Sequence, residues 1–493
     1  MRTITESTQS TDRLRGNLSG RQLFTLAFGS IIGVGWITMV GIWLSQAGPL
    51  GAVLGFAGGC VVMSLIGATY SAMMSELPVA GGELAYSYKI YGLGVAFATG
   101  WALTLSYVSV VAFEVISLGW VWSALFDTKT SHVLYRLLGA DITLESIIVG
   151  YAGLLLVGWF NFKGAKNATL FQDGVTFLLI IVSLLFVGLA LVKGDIVNLT
   201  PMFAVEGTVS ITWSVFGIAA TTCYWLAGFD TIPQAMEEAN VELRGKRLTT
   251  IVVISIIAAA AYLCLVILST AMMAPISDIK TMNLPAADVF RSGSGSSLFV
   301  KVVLFAGLLG LISSWNAFLF AASRIVFALG RARLIPPILG TAHHRFGAPA
   351  NAVVFVCIAG GLLGLLGRNG ISPIVNAATS CYAFVFLLTC IGVIRLYQNK
   401  AAKNMGLSKF IVPVLGACGA SLMLALSLWT PYRTALATNT IPPEWAIIVV
   451  WTIAGFVFWK LAEPYRNGLS STDIENIIVC NTVDNNHQET IAE

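Results

Sequence analysis

Three places in this chain put ligand-gathering groups where an ordinary apolar helix would not. Glu114 stands in "SYVSVVAFEVISLGW". A carboxyl at such a place costs of the order of 2.5 to 3.5 kcal/mol on insertion scales, so it needs a cavity, a partner or a proton. Three readings stay open: a place in a pocket or proton relay, a structural hydrogen bond as a neutral acid, and a depth nearer the interface. The second place is "GSIIGVGWITMV", Gly29 to Val40, with three glycines and a serine in its first seven residues. The third is "VFGIAATTCYWLAGFDTIPQAMEEA", which carries Gly217, Gly228, Asp230 and Pro233 in one apolar segment. A helix interrupted in this way frees N–H groups and a half-helix N-terminus that can receive a carboxylate, and carbonyls that can receive an ammonium or a cation. Gly29 and Gly33 alone are also a GxxxG packing face that needs no function.

Around these lie groups with weaker claims. Asp230 follows the second interruption, where it can cap or gate the next half-helix or meet substrate. Tyr224 and Trp225 can wall an ammonium group through cation-π attraction, or pack as bulky rings. Glu76, Glu83, Glu237 and Glu238 are expected at cytoplasmic helix ends, paired with loop Arg and Lys as an inner latch. His343 and His344, beside Arg345, read as a solvated loop. Seven of the eight cysteines fall in apolar runs as small packers and Cys480 lies in the C-terminal tail. No disulfide framework, metal-type spacing or cofactor motif is present. H-E-x-x-H, P-loop and G-x-S-x-G patterns are missing, which argues against an enzyme and against an ATP-driven pump within this chain.

What must position these groups is a set of membrane helices. Only 11% of the residues are charged and mean hydropathy is +0.83, whereas soluble chains are typically about 25% charged. Apolar runs long enough to cross roughly 30 Å of hydrocarbon occur twelve times: 21–47, 50–75, 92–125, 143–162, 168–193, 208–234, 247–274, 297–330, 350–367, 371–397, 409–429 and 443–463. None alternates as a barrel strand does. With the N-terminus inside, 20 of the 28 Lys and Arg face the cytoplasm and 8 face out, so both termini are expected in the cytoplasm. The polar N-terminal tail lacks a signal-peptide pattern and is expected to be retained. The basic balance of +4 follows from the cytoplasmic loops and implies no nucleic acid. The two interrupted runs are the first and the sixth, five helices apart, which is the pattern of an inverted five-helix repeat.

"GSIIGVGWI", "SELPVAGGELAYSYKIYGLGVAFATGW", "GFDTIPQAMEEA" and "LISSWNAFLFAASRIVFALGRARLIP" together resemble the amino acid-polyamine-organocation permease family, over roughly residues 20–400. The resemblance implies an all-α integral membrane transporter of 12 helices: an inverted 5+5 repeat with discontinuous helices 1 and 6, and two extra helices. The implied layout is a tail at 1–20, a core at 21–397 with repeats at about 21–193 and 208–397, spans 11 and 12 within 398–463, and a tail at 464–493. It further implies that a substrate carboxylate meets N–H groups around Gly33, Val34 and Gly35. The ammonium would meet carbonyls of Ile31, Tyr224, Trp225 and Ala227, with Gly228 beside them and spans 3, 8 and 10 completing the pocket.

Two departures follow. Val34 replaces the hydroxyl residue that many members use to grip a carboxylate, which keeps an amine without a carboxylate open as substrate. The lysine that proton-coupled members carry on span 5 falls at about Leu179 here. Three coupling routes remain: a proton on another group, with Glu114 favoured; exchange of one solute for another; or a sodium ion on span 1 carbonyls and the hydroxyls of Ser313 and Ser314. The reading is a secondary carrier for an amino acid or small organic amine in the plasma or inner membrane, without cofactor or metal. Its partners are substrate, H+ or Na+, and the bilayer; oligomeric state is unassigned. A solute exchanger is the nearest alternative, and an ion channel the one from another class.

Overall fold

The apolar runs fold as helices because hydrocarbon offers no partner for a backbone N–H or C=O, and a helix satisfies both within one segment. The structure is a computed structural model that describes residues 18–78, 81–126, 132–163, 165–236, 239–240, 243–294, 297–399 and 407–479. Glu237, Glu238, Cys480, residues 1–17 and residues 480–493 lie outside the described residues.

The first part comprises α1 (Gly20–Ile31), α2 (Gly35–Thr38), α3 (Val40–Glu76), α4 (Gly82–Tyr91) and α5 (Leu93–Phe126). A hairpin of β1 (Val133–Leu137) and β2 (Ala140–Thr143) leads to α6 (Leu144–Phe162) and α7 (Ala165–Lys193). Then follow α8 (Thr208–Trp225), α9 (Thr231–Ala235), α10 (Lys246–Met273), α11 (Ile276–Ile279), α12 (Pro285–Ser294) and α13 (Ser297–Arg331). The chain closes with α14 (Ala350–Gly364), α15 (Ile371–Asn399), α16 (Leu407–Thr438), α17 (Pro443–Arg466) and α18 (Ser471–Val479). The protein is thus almost wholly helical. The antiparallel hairpin stands where sequence predicts only a loop between spans 3 and 4, its Arg136 paired with Asp141 at 2.6 Å.

Among the described residues nine helices are long and apolar enough to cross a membrane. Set against the twelve predicted runs, the first, sixth and ninth are the ones outside this set. The first is divided among α1, α2 and the start of α3, the sixth between α8 and α9, and the ninth is the 15-residue α14. At Gly48 (φ +76°) the backbone of α3 leaves helical geometry, and a Cβ there would lie 2.6 Å from the Met202 carbonyl oxygen. Only a glycine lets the chain turn so close to another backbone.

Burial sorts the helices into a centre and a periphery. Of the apolar windows, 61% is buried in α5 and α13 and 72% in α15, against 28% in α6 and α16 and 11% in α17. Leu155, Ile181, Leu184, Val192, Val450 and Phe456 are exposed on the outer helices. That is the arrangement for a lipid-facing shell around a packed centre.

Candidate functional site

The first interrupted helix opens over Ile32, Gly33 and Val34, between α1 and α2. The second opens over Leu226 to Asp230, between α8 and α9. The two breaks press together. Ser30 Oγ donates to the Gly228 carbonyl at 3.0 Å, and Gly228 (φ +140°) would place a Cβ 2.8 Å from the Ile31 backbone nitrogen. Gly228 is therefore the point where the second break meets the last turn of α1, and any side chain there would separate them. On the far side, a Cβ on Gly310 of α13 would lie 2.7 Å from the Gly33 carbonyl oxygen.

Glu114, on the central helix α5, is 1% exposed. Its Oε1 accepts a hydrogen bond from Ser314 Oγ, the Val34 backbone N–H is directed at the carboxyl, and Oε2 has no hydrogen-bond partner. A Cβ on Gly33 would come within 2.8 Å of Ser314 Oγ and 2.9 Å of Glu114 Oε1. The carboxyl is buried inside the protein, against the first break. A small cavity of about 30 Å³ adjoins it, lined by Ile31, Gly33, Gly35, Glu114, Tyr224 and Trp225, with Trp43, Phe113 and Ser314 among its other walls. Val34 and Ala227 are buried behind this lining. The Ile31 carbonyl accepts the Gly33 N–H at 3.1 Å and the Tyr224 carbonyl the Ala227 N–H at 3.2 Å, so turn bonds already engage both acceptors.

The cavity roof is aromatic. Trp225 crosses Trp43 edge to face at 5.3 Å, and its ring stands 4.9 Å from Tyr224 and 6.1 Å from Phe113. Its indole closes over the first break, where a Cβ on Gly35 would lie 2.5 Å from Trp225 Cζ3. The volume suits water rather than an organic solute, so admission of a solute requires these rings and backbones to part.

Ser313 and Ser314 face different partners. Ser314 serves Glu114, whereas Ser313 donates to the Gly29 carbonyl at 3.0 Å and accepts from Gln172 Nε2 at 2.7 Å. Gln172 Nε2 also reaches Thr176 Oγ1 at 3.3 Å and the Thr25 carbonyl at 3.4 Å. Its Oε1 accepts from Asn316, whose own Oδ1 accepts from Asn161. An uncharged amide thus stands among the α1 carbonyls and the α13 hydroxyl that sequence reasoning offered to a cation. Gln172, Thr176, Asn316 and Asn161 were not anticipated. Their signal was three amides in otherwise apolar spans. Leu179, the aligned lysine position, lines a separate apolar cavity with Phe24, Phe28 and Ile32.

Asp230 stands at the N-cap position of α9, whereas Glu83 sits otherwise than predicted. Asp230 makes no side-chain cap on α9; its Oδ1 accepts the Gly228 N–H at 2.6 Å inside the break, while Tyr107 donates to its backbone carbonyl at 2.8 Å. Glu83 is fully buried and accepts from Gln234 Nε2 at 2.5 Å instead of meeting a loop cation. No group of three or more His, Cys, Asp or Glu that could hold a metal occurs among the described residues.

A family model described as amino acid permease matches residues 18–456. The chain is 25% identical over 469 residues to a methylthioribose transporter of Bacillus subtilis (strain 168), covering 93% of this chain and 95% of that one. It is 24% identical over 477 residues to the branched-chain amino acid permease BcaP of the same organism, covering 94% and 96%. To cationic amino acid transporter 1 of Arabidopsis thaliana it is 24% identical over 431 residues, covering 85% and 69%. With a match spanning nearly all its helices, the chain belongs to the amino acid permease family, and it is a multi-pass membrane transporter rather than an enzyme.

Proposed function

We propose that the protein is a secondary carrier that moves an amino acid or small organic amine by alternating access, with the substrate seated between the two helix breaks. The observation that carries this reading is the meeting of the Gly33–Val34 backbone, the Glu114 carboxyl and the Trp225 ring at one buried cavity. An interrupted backbone, a carboxyl and an aromatic face are groups that suit an ammonium-bearing solute once the turn bonds open. Ile31, Gly33, Gly35, Tyr224 and Trp225 would contact substrate directly, with Val34, Ala227 and Gly228 shaping the breaks. The reading retains twelve spans, the inverted 5+5 repeat at about 21–193 and 208–397, and two extra helices within 398–463. Glu114 would carry the coupling proton and Asp230 would gate. Exchange is the second route. Sodium at Ser313 and Ser314 finds least support, because Gln172 already donates to Ser313 while Ser314 is turned to Glu114.

A thermal-shift screen of the purified chain against amino acids and amines tests the substrate class, since a ligand that binds the folded state stabilises it by RT ln(1 + [L]/Kd). Saturable, stoichiometric uptake in liposomes supports the carrier; unitary currents would favour a channel. For Trp225→Ala we expect substrate affinity to fall by roughly 1 to 2 kcal/mol, the worth of a desolvated cation-π contact. Unchanged affinity assigns the ring to packing.

The orientation, with both termini in the cytoplasm of a plasma or inner membrane, rests on the 20 to 8 distribution of Lys and Arg. In a background without reactive cysteines, Arg136→Cys on the hairpin should react with an impermeant thiol reagent from outside. Arg345→Cys, on the exposed loop before α14, should not. The reverse pattern overturns the orientation.

A further inference from the structure

A second cavity, of about 470 Å³, lies beyond the α2 segment. Trp36 and Trp43 face the small inner pocket, whereas Thr38, Met39 and Ile42 face the larger cavity. The half-helix is thus the wall between the two. Across from this wall stand Arg368, just before α15, and Lys280, just after α11, with Asn283 and Asn369 beside them.

Among the described residues no acid lines the cavity, and neither Lys280 nor Arg368 has an ion-pair partner. The acids on the neighbouring segment are engaged elsewhere: Asp288 accepts the Asn283 and Leu284 N–H groups at 3.1 and 2.8 Å, and Asp278 accepts from Ser277 at 2.9 Å. The Arg368 guanidinium lies 3.7 Å over the Trp120 ring, which fixes the plane of its donor fork. A stacked guanidinium held in one plane matches a carboxylate with two parallel hydrogen bonds, and a second cation nearby raises the local concentration of anions.

We propose that this cavity is an entry site which holds the carboxylate of an incoming solute on Arg368, with Lys280 as the second cation, before α2 moves to admit it. The proposal builds on the carrier reading and narrows its substrate class to solutes that bear a carboxylate. The inner cradle at Gly33 and Val34 already faces the carboxyl of Glu114. The vestibule therefore supplies the carboxylate grip that the inner pocket directs at its own side chain. Its larger volume holds a whole small solute while the inner pocket is closed.

The test is modification of the purified full-length protein by p-hydroxyphenylglyoxal, with the labelled peptides read by mass spectrometry. Arg136 and Arg345 serve as internal references. At one ionic strength and saturating concentration, sodium propionate should slow labelling of Arg368 at least about fivefold relative to chloride, as expected for a mostly occupied site. Propylammonium chloride should not, and K280Q should weaken the propionate effect. Equal labelling of Arg368 in propionate and chloride overturns the proposal, as does equal protection by propylammonium. Protection by inorganic phosphate without protection by propionate overturns it too, and points to a phosphate or lipid-headgroup site. Labelling reports occupancy of the outer cavity whether or not solute crosses, so its failure and a failed uptake assay are separate results.

Discussion

Gly35→Leu and Gly33→Leu should each abolish uptake while leaving a folded protein in the membrane. At Gly35 the new Cβ alone would fall 2.5 Å from Trp225 Cζ3, so the indole must leave its place against Trp43 or the half-helix must shift. At Gly33 it would fall 2.8 Å from Ser314 Oγ and 2.9 Å from Glu114 Oε1, pushing apart the hydroxyl and carboxyl that meet there. Overpacking of this kind costs about 1 to 3 kcal/mol, which a domain of about 5 to 15 kcal/mol stability can absorb. The pocket cannot absorb it, because a leucine side chain occupies the space between the two breaks through which a solute must make its contacts. Gly35→Ala, with only the first carbon, should retain part of the activity. The checks are uptake in proteoliposomes and the substrate-induced thermal shift, with the unliganded melting transition as the control for folding. Near-normal uptake by both leucine variants would remove the site from between the breaks.

How much of this was legible beforehand follows from what each signal depends on. The helix breaks were visible because their cause is local: glycines at 29, 33 and 35, and Gly228 followed by Asp230 and Pro233, weaken a helix wherever it lies. Glu114 stood out because a carboxyl in an apolar run needs an explanation in any fold. Ser313 and Ser314 were offered together as span 8 hydroxyls for a sodium ion, yet consecutive residues on a helix point about 100° apart. They accordingly serve Gln172 and Glu114 separately. Gln172 escaped notice because its role depends on which way α7 is rotated against α1 and α13, a property of packing between helices distant in sequence. Near an expected cytoplasmic end, a glutamine reads equally well as a solvated residue. Glu83 misled for the same reason: its place at an expected cytoplasmic helix end suggested an inner latch, and tertiary packing instead seats it against Gln234.

Glu114→Gln should yield a folded carrier that no longer accumulates substrate against a gradient when the outside is made acidic. The substitution keeps the shape of the side chain and an oxygen that Ser314 can still donate to, so the α5 to α13 contact survives. What it removes is the capacity to carry a proton at the first break. In the unmodified protein an inward proton gradient drives entry if Glu114 takes up a proton facing outside and releases it facing inside. With one proton per solute, each pH unit of gradient then supports about tenfold accumulation. The glutamine variant should give no accumulation at any imposed gradient, while still binding substrate and equilibrating it downhill. Accumulation that persists in the variant would exclude Glu114 as the proton carrier. Its loss in Asp230→Asn or Glu83→Gln would then move the proton to that buried carboxyl. If neither protein responds to pH but preloaded solute drives entry in both, the carrier is an exchanger, and Glu114 acts on substrate charge alone.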